Sequence, residues 1–131
     1  MILLDTHVLL WTVSTPSKLS RAAVREIRNA QIEGGCAIAS ISLWEMGLLF
    51  AKGTIRVSGT IEASIREIVE RSGAHVIEIT PDIAGLAMAF PESYPKDPGD
   101  RLIGATARAL GLTLITQDER ILACPLVRAI W

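Results

Sequence analysis

Cysteine is scarce in this chain. Cys36 and Cys124 lie far apart and fit no metal-binding or redox spacing, so they read as buried free thiols of a reducing compartment. Long apolar runs are missing as well. Residues 1–4 are cut by Asp5, and Val8–Trp11 follows His7, far short of the roughly 20 apolar residues of a membrane helix. The start has neither a basic region nor a small-residue cleavage site, so no export signal is expected. These absences together predict a cytoplasmic protein with no membrane contact. The 10 Gly and 6 Pro follow no period, which excludes collagen-like and low-complexity readings. There is no overall basic excess either: 13 bases stand against 14 acids, for a net charge of −1. Taken as a bulk property, that balance argues against a nucleic-acid binder.

What remains is an ordinary globular composition. The chain has 131 residues, half of them apolar, enough for one domain over residues 1–131. Short apolar runs at residues 1–5, 37–40, 76–80, 112–116 and 126–130 read as strands. Between them lie helical stretches at 6–13, 20–33, 42–52, 60–72, 81–90 and 98–110, with a helical turn at 119–122. Ser20 and Thr60 stand at cap positions, Pro81 and Pro98 at first turns, and Gly73 and Gly111 after helix ends. Alternating strands and helices predict an α/β fold, a mostly parallel sheet of about five short strands with helices on both faces. Unalternating apolar strands fit burial on both sides. In such sheets the functional site lies beyond the carboxyl ends of the strands, at the switch in strand order.

Carboxylates fall where that rule directs attention. Asp5 closes the first strand, Glu45 follows the second, Asp97 and Asp100 open the long helix, and Asp118 follows the fourth strand. Each alone has a plain explanation as a helix cap or first-turn acid. Ser42 with Glu45 has the form of a capping box, and Asp97-Pro98 that of an N-cap with Pro behind it. As a set they are harder to explain, because carboxylates about 5 Å apart repel by on the order of 3 kcal/mol per pair. A hard divalent cation such as Mg²⁺ or Mn²⁺ removes that repulsion. It also suits phosphodiester cleavage, by favouring loss of a proton from water and offsetting phosphoryl charge. Without these five acids the chain carries 13 bases against 9 acids, an acidic hole in a mildly basic surface. Ten of the bases are Arg, the better phosphate fork.

Several stretches together resemble the PIN-domain family, and more narrowly the VapC-type toxins of toxin–antitoxin pairs. They are Leu-Leu-Asp-Thr-His at 3–7 with Leu10-Trp11, Ile-Ser-Leu-Trp-Glu at 41–45, Asp-Pro-Gly-Asp-Arg-Leu-Ile at 97–103, Leu-Ile-Thr-Gln-Asp-Glu at 114–119 and Val-Arg-Ala-Ile-Trp at 127–131. The resemblance implies a Mg²⁺- or Mn²⁺-dependent endoribonuclease, restrained by a cognate antitoxin and assembled as a homodimer within their complex. It implies catalytic acids at Asp5, Glu45, Asp100 and Asp118, with Asp5, Asp100 and Asp118 on the metal. Thr116 would be a supporting hydroxyl and Asp97 an additional acid. The chain departs from the subgroup at Pro95-Lys96, where His-Arg is common.

Other residues have weaker readings. Arg21, Arg25 and Arg28 share a helix face and could contact RNA phosphates, although a solvated face is the simpler account. Arg101, beside Asp100, suits a phosphate contact or a structural pairing. His7 fits packing near the first helix better than metal ligation, and His75 has no assigned role. Trp11 and Trp44 suit core or interface packing better than base stacking. Three further function classes compete: a PIN-fold nuclease in RNA or DNA processing, an inactive PIN-like binding module, and a phospho-acceptor domain. The last wants paired acids at the first strand end and a Lys after a late strand, and neither is present.

Overall fold

The short apolar runs form strands because both of their faces can be buried. The computed structural model describes residues 1–131. Five strands make one sheet: β1 (Ile2–Leu4), β2 (Cys36–Ala39), β3 (His75–Ile77), β4 (Thr113–Ile115) and β5 (Ala129–Ile130). Their order is β3-β2-β1-β4-β5, and every neighbouring pair is parallel. The expected sheet is therefore present and wholly parallel. Seven helices flank it: α1 (Thr6–Ser14), α2 (Arg21–Ile32), α3 (Ile41–Ala51), α4 (Ile61–Ser72), α5 (Pro81–Ala87), α6 (Pro98–Leu110) and α7 (Glu119–Leu122).

The two-residue period of a strand divides the core between the faces. Ile2, Leu4, Ile38 and Ile115 join Val8, Leu9, Ile27, Met46 and Phe50 on the side of α1, α2 and α3. Leu3, Ala37, Ala39 and Leu114 join Tyr94, Ile103, Ala107 and Ile121 on the other. The exception is β3. Its apolar run reads as buried on both faces, but it is an edge strand with His75 and Val76 exposed. Cys36 and Cys124 are both buried and free, one in each core.

Caps fall largely where the sequence places them. Ser20 Oγ accepts from Ala23 N at 3.0 Å, and Thr60 Oγ1 from Ala63 N at 3.0 Å. Gly111 ends α6 in the left-handed region, with φ 63°, where a side chain would be strained. One expected cap is absent. Ser42 does not open α3, because Ser40 is already helical (φ −58°, ψ −27°) and the helix starts at Ile41. The carbonyl end of β2 therefore runs straight into the helix. Ser42 is carried inside its first turn, and the Ser42–Glu45 capping box does not form.

The topology fixes where ligands can lie. The chain builds β2 and β3 to one side of β1, then crosses to build β4 and β5 on the other. The switch lies between β1 and β4, whose pairing carries Asp5 N onto Ile115 O at 3.0 Å. Residues 5 and 116 are thereby held side by side beyond the strand ends.

Candidate active site

An open cleft of about 680 Å³ lies over that switch. It is lined by Asp5, Glu45, Asp97, Asp100, Asp118 and Glu119, with His7, Val8, Trp11 and Gln117 completing the wall. All five carboxylates singled out in the sequence are thus brought together. Sequence reasoning missed Glu119 and Gln117, although they flank Asp118 and follow the same strand end.

Each acid is positioned by its own local structure. Asp5 caps α1, its Oδ1 accepting from Thr6 N at 2.7 Å, while its Oδ2 accepts from Thr116 Oγ1 at 2.7 Å. Asp97 caps α6 through Asp100 N at 3.2 Å. Asp118 caps α7 through Arg120 N at 2.9 Å, and Arg120 Nη2 reaches its other oxygen at 3.3 Å. Capping and convergence are therefore not alternatives: the same carboxylates cap three helices whose N-termini meet at the cleft.

Glu45 is placed differently. Thr6 Oγ1 lies 2.7 Å from Glu45 Oε1 and 2.8 Å from Ser42 Oγ. A hydroxyl has one proton, and a carboxylate can only accept, so that proton serves Glu45. Ser42 is fully buried and braces the Thr6 side chain instead of capping its own helix. Gly99 leaves room for this acid, since a Cβ there would stand 2.6 Å from Glu45 Oε2. Thr116, also fully buried, joins Asp5 to Asp118, because its hydroxyl receives Asp118 N at 3.2 Å. Asp100 is anchored through its backbone, with Tyr94 donating to the Asp100 carbonyl at 2.7 Å.

Burial and neighbouring like charges raise two of these acids, Asp100 and Glu45. Burial, then the charges of Asp5, Asp97, Glu45 and Asp118, push the Asp100 carboxyl from its ordinary 3.8 up to about 7. Burial also raises Glu45, with Asp5 and Asp97 adding to the rise, while the Thr6 hydroxyl and His7 pull it back. An acid whose folded pKa is raised adds stability at low pH. That stability is complete below its unfolded value, near 4, and is lost as pH rises through about 7. Asp100 is half-buried and solvent screens its neighbours, so that rise is worth about 2 kcal/mol. With divalent ions chelated, the parent should lose roughly 8 °C in melting temperature relative to Asp100→Asn between pH 4.5 and 8. Equal pH profiles for the two proteins would show that Asp100 is not held in this way.

The bases singled out in the sequence do not line the cleft. Arg21, Arg25 and Arg28 are exposed on α2, and none is among the lining residues. Helical phase alone could not show which element overhangs the site. Arg101 Nη1 donates to Ala87 O at 3.2 Å, which favours its structural reading. His7 is exposed at the rim, its ring centroid 6.0 Å from that of Trp11.

A family model described as the PIN domain matches residues 2–124. The chain belongs to the PIN-domain family. Ribonuclease VapC22 of Mycobacterium tuberculosis is 37% identical to this PIN domain over 120 residues, covering 92% of this chain and 88% of that protein. Among solved structures, VapBC2 from Rickettsia felis bound to a promoter DNA fragment superposes with a TM-score of 0.74. It covers 100% of this chain and 99% of its own at 16% identity. A toxin–antitoxin complex from Klebsiella pneumoniae gives a TM-score of 0.68 at 23% identity, over 100% and 97% of the two chains. At those identities the two structures speak to the PIN fold, and the acidic cleft lies where that parallel sheet places its switch.

Proposed function

We propose that this chain is a ribonuclease toxin, hydrolysing RNA phosphodiesters in the acidic cleft and restrained by an antitoxin. The observation that carries the reading is the convergence of Asp5, Glu45, Asp100 and Asp118 from four separate segments into one open cleft. The 37% identity to a protein named as a ribonuclease supports it. The neighbours solved as toxin–antitoxin assemblies support the partner.

The donor set fits a divalent cation of the Mg²⁺ or Mn²⁺ type, since every acidic ligand is a hard oxygen. No three acidic, His or Cys side chains close into a compact cage. An open arrangement suits an ion that keeps several of its waters beside its carboxylate ligands. Asp5, Asp100 and Asp118 would hold it, with Asp97 and Glu45 at the margin. Such an ion supplies positive charge that offsets the phosphoryl oxygens and acidifies the attacking water. The chain's own work is positioning. Thr116 fixes Asp5 against Asp118, Thr6 fixes Glu45, and Tyr94 fixes the Asp100 backbone.

No helix is long and apolar enough to cross a membrane, and two free buried thiols suit a reducing cytoplasm. Trp44 is 61% exposed and Met88 78% exposed, surface that an antitoxin or the second copy of a homodimer would cover. Trp44 thus fits the interface half of its expected role.

The test begins with metal-stripped protein. Mg²⁺ or Mn²⁺ at about ten times its dissociation constant should stabilise the fold by about 1.4 kcal/mol, a melting shift of roughly 5 °C. Cleavage of total RNA should appear with the ion and vanish on chelation. Co-expression with the product of an adjacent small reading frame should suppress it. Protein that neither shifts with metal nor cleaves RNA would overturn the reading. Cleavage untouched by any such partner would leave a processing nuclease.

A further inference from the structure

A cleft lined by six acids, with no Lys or Arg among its walls, cannot by itself attract a polyanion. Attraction for RNA must come from nearby surface, and a second groove adjoins the first. It has a volume of about 450 Å³ and runs between α1, the segment after α3, and α4. Its charged lining is Lys18, Arg56 and Arg71, with no Asp or Glu. Lys18, Arg56 and Arg71 have no carboxylate partner, a state shared by seven of the other ten bases, but the other grooves gather at most one Lys or Arg each. Arg71 Nη2 is steadied by Val13 O at 3.3 Å, at the carbonyl end of α1. The Lys18 ammonium sits 5.7 Å from the centroid of the Trp11 ring. His7 and Trp11 line both grooves, so the acidic and basic surfaces share one wall.

We infer that single-stranded RNA leaves the acidic cleft across His7 and Trp11 and lays its flanking phosphates on Lys18, Arg56 and Arg71. The inference rests on the ribonuclease reading and names how that substrate is held. Unpaired cationic side chains seek phosphate oxygens, and a half-buried indole between the two grooves offers a face on which a nucleobase can stack. An acidic protein segment would satisfy the same charges. The shared wall favours RNA, because a strand seated in the cleft must pass along it.

The test separates binding from cleavage. Arg56→Gln/Arg71→Gln removes two exposed bases, and Arg66→Gln/Arg128→Gln removes the same charge elsewhere. Binding of a labelled single strand of roughly 12 nucleotides is followed by anisotropy, with both pairs placed in the Asp100→Asn background to prevent turnover. The groove pair should weaken binding about tenfold and flatten the log–log salt dependence by about 1.4, the share of two released counterions. The control pair should stay within about twofold, and a trinucleotide should bind all variants alike. With Asp100 restored, the groove pair should raise KM on the long strand and leave kcat unchanged. An unchanged affinity and salt slope would overturn the inference. So would an equal loss in the control pair, or a groove pair that binds RNA normally and loses only the antitoxin. A parent that binds the strand through these bases yet never cleaves it would sink the ribonuclease reading and leave the groove standing.

Discussion

Asp5→Asn and Asp100→Asn should each lower RNA cleavage at least about a hundredfold in protein that remains folded. The two substitutions keep side-chain size and remove one negative charge from the cleft. In Asp5→Asn the side-chain oxygen can still accept from the Thr6 amide. Its new NH₂ can donate to Thr116 Oγ1, reversing a bond that Asp5 now accepts at 2.7 Å. The Thr116 proton then loses its partner in a fully buried place, a cost of about 1 kcal/mol that a folded domain tolerates. Asp100 makes its observed anchoring bonds through its backbone, to Asp97 and Tyr94, so Asp100→Asn leaves them in place. It also removes a carboxyl held up near 7, so the metal-free variant should melt higher than the parent and respond less to added metal. Single-turnover cleavage at equal concentration, with circular dichroism alongside, is the measurement. Two folded variants that cleave as fast as the parent would remove Asp5 and Asp100 from the chemistry.

The site was legible because its parts obey local rules. A parallel sheet directs attention to strand ends, and Asp5 and Asp118 stand there. Helix starts need acceptors, and Asp5, Asp97 and Asp118 provide them. Those same rules give each acid a sufficient local reason to exist, so the convergence was legible only from the set of five and not from any one of them. Longer-range relations were not legible. Ser42 and Glu45 have the spacing of a capping box, but the partner that claims both is Thr6, which precedes them by more than thirty positions. The exposure of β3 follows from its place at the sheet edge, which no local pattern reveals. Lys18, Arg56 and Arg71 come from three segments with no common period, whereas Arg21, Arg25 and Arg28 share a helix face and lie away from the cleft.

Gly104 illustrates the same limit and supports the second large effect. In sequence it is one glycine in the middle of α6, where Ala would favour the helix by about 1 kcal/mol. In the structure Tyr94, only 1% exposed, lies across it, stacked on Phe90 with ring centroids 4.0 Å apart. A Cβ at Gly104 would fall on the Tyr94 hydroxyl, and Phe90 Cζ would stand 3.0 Å away. The ring is rigid and almost wholly buried, so Gly104→Ala must displace it and strain or break its bond to the Asp100 carbonyl. Overpacking costs about 1–3 kcal/mol, a lost hydrogen bond about 1 more, and the helix returns about 1. A net loss of about 1–3 kcal/mol should appear as a fall in melting temperature of roughly 4–12 °C. Cleavage should fall too, because the first turn of α6 carries Asp100 into the cleft. Tyr94→Leu supplies the control. If the collision is the cause, adding Gly104→Ala to Tyr94→Leu should cost far less than adding it to the parent, a coupling read from a double-mutant cycle. A Gly104→Ala protein as stable as the parent would mean that the ring yields freely, and Tyr94 could not then be what fixes Asp100.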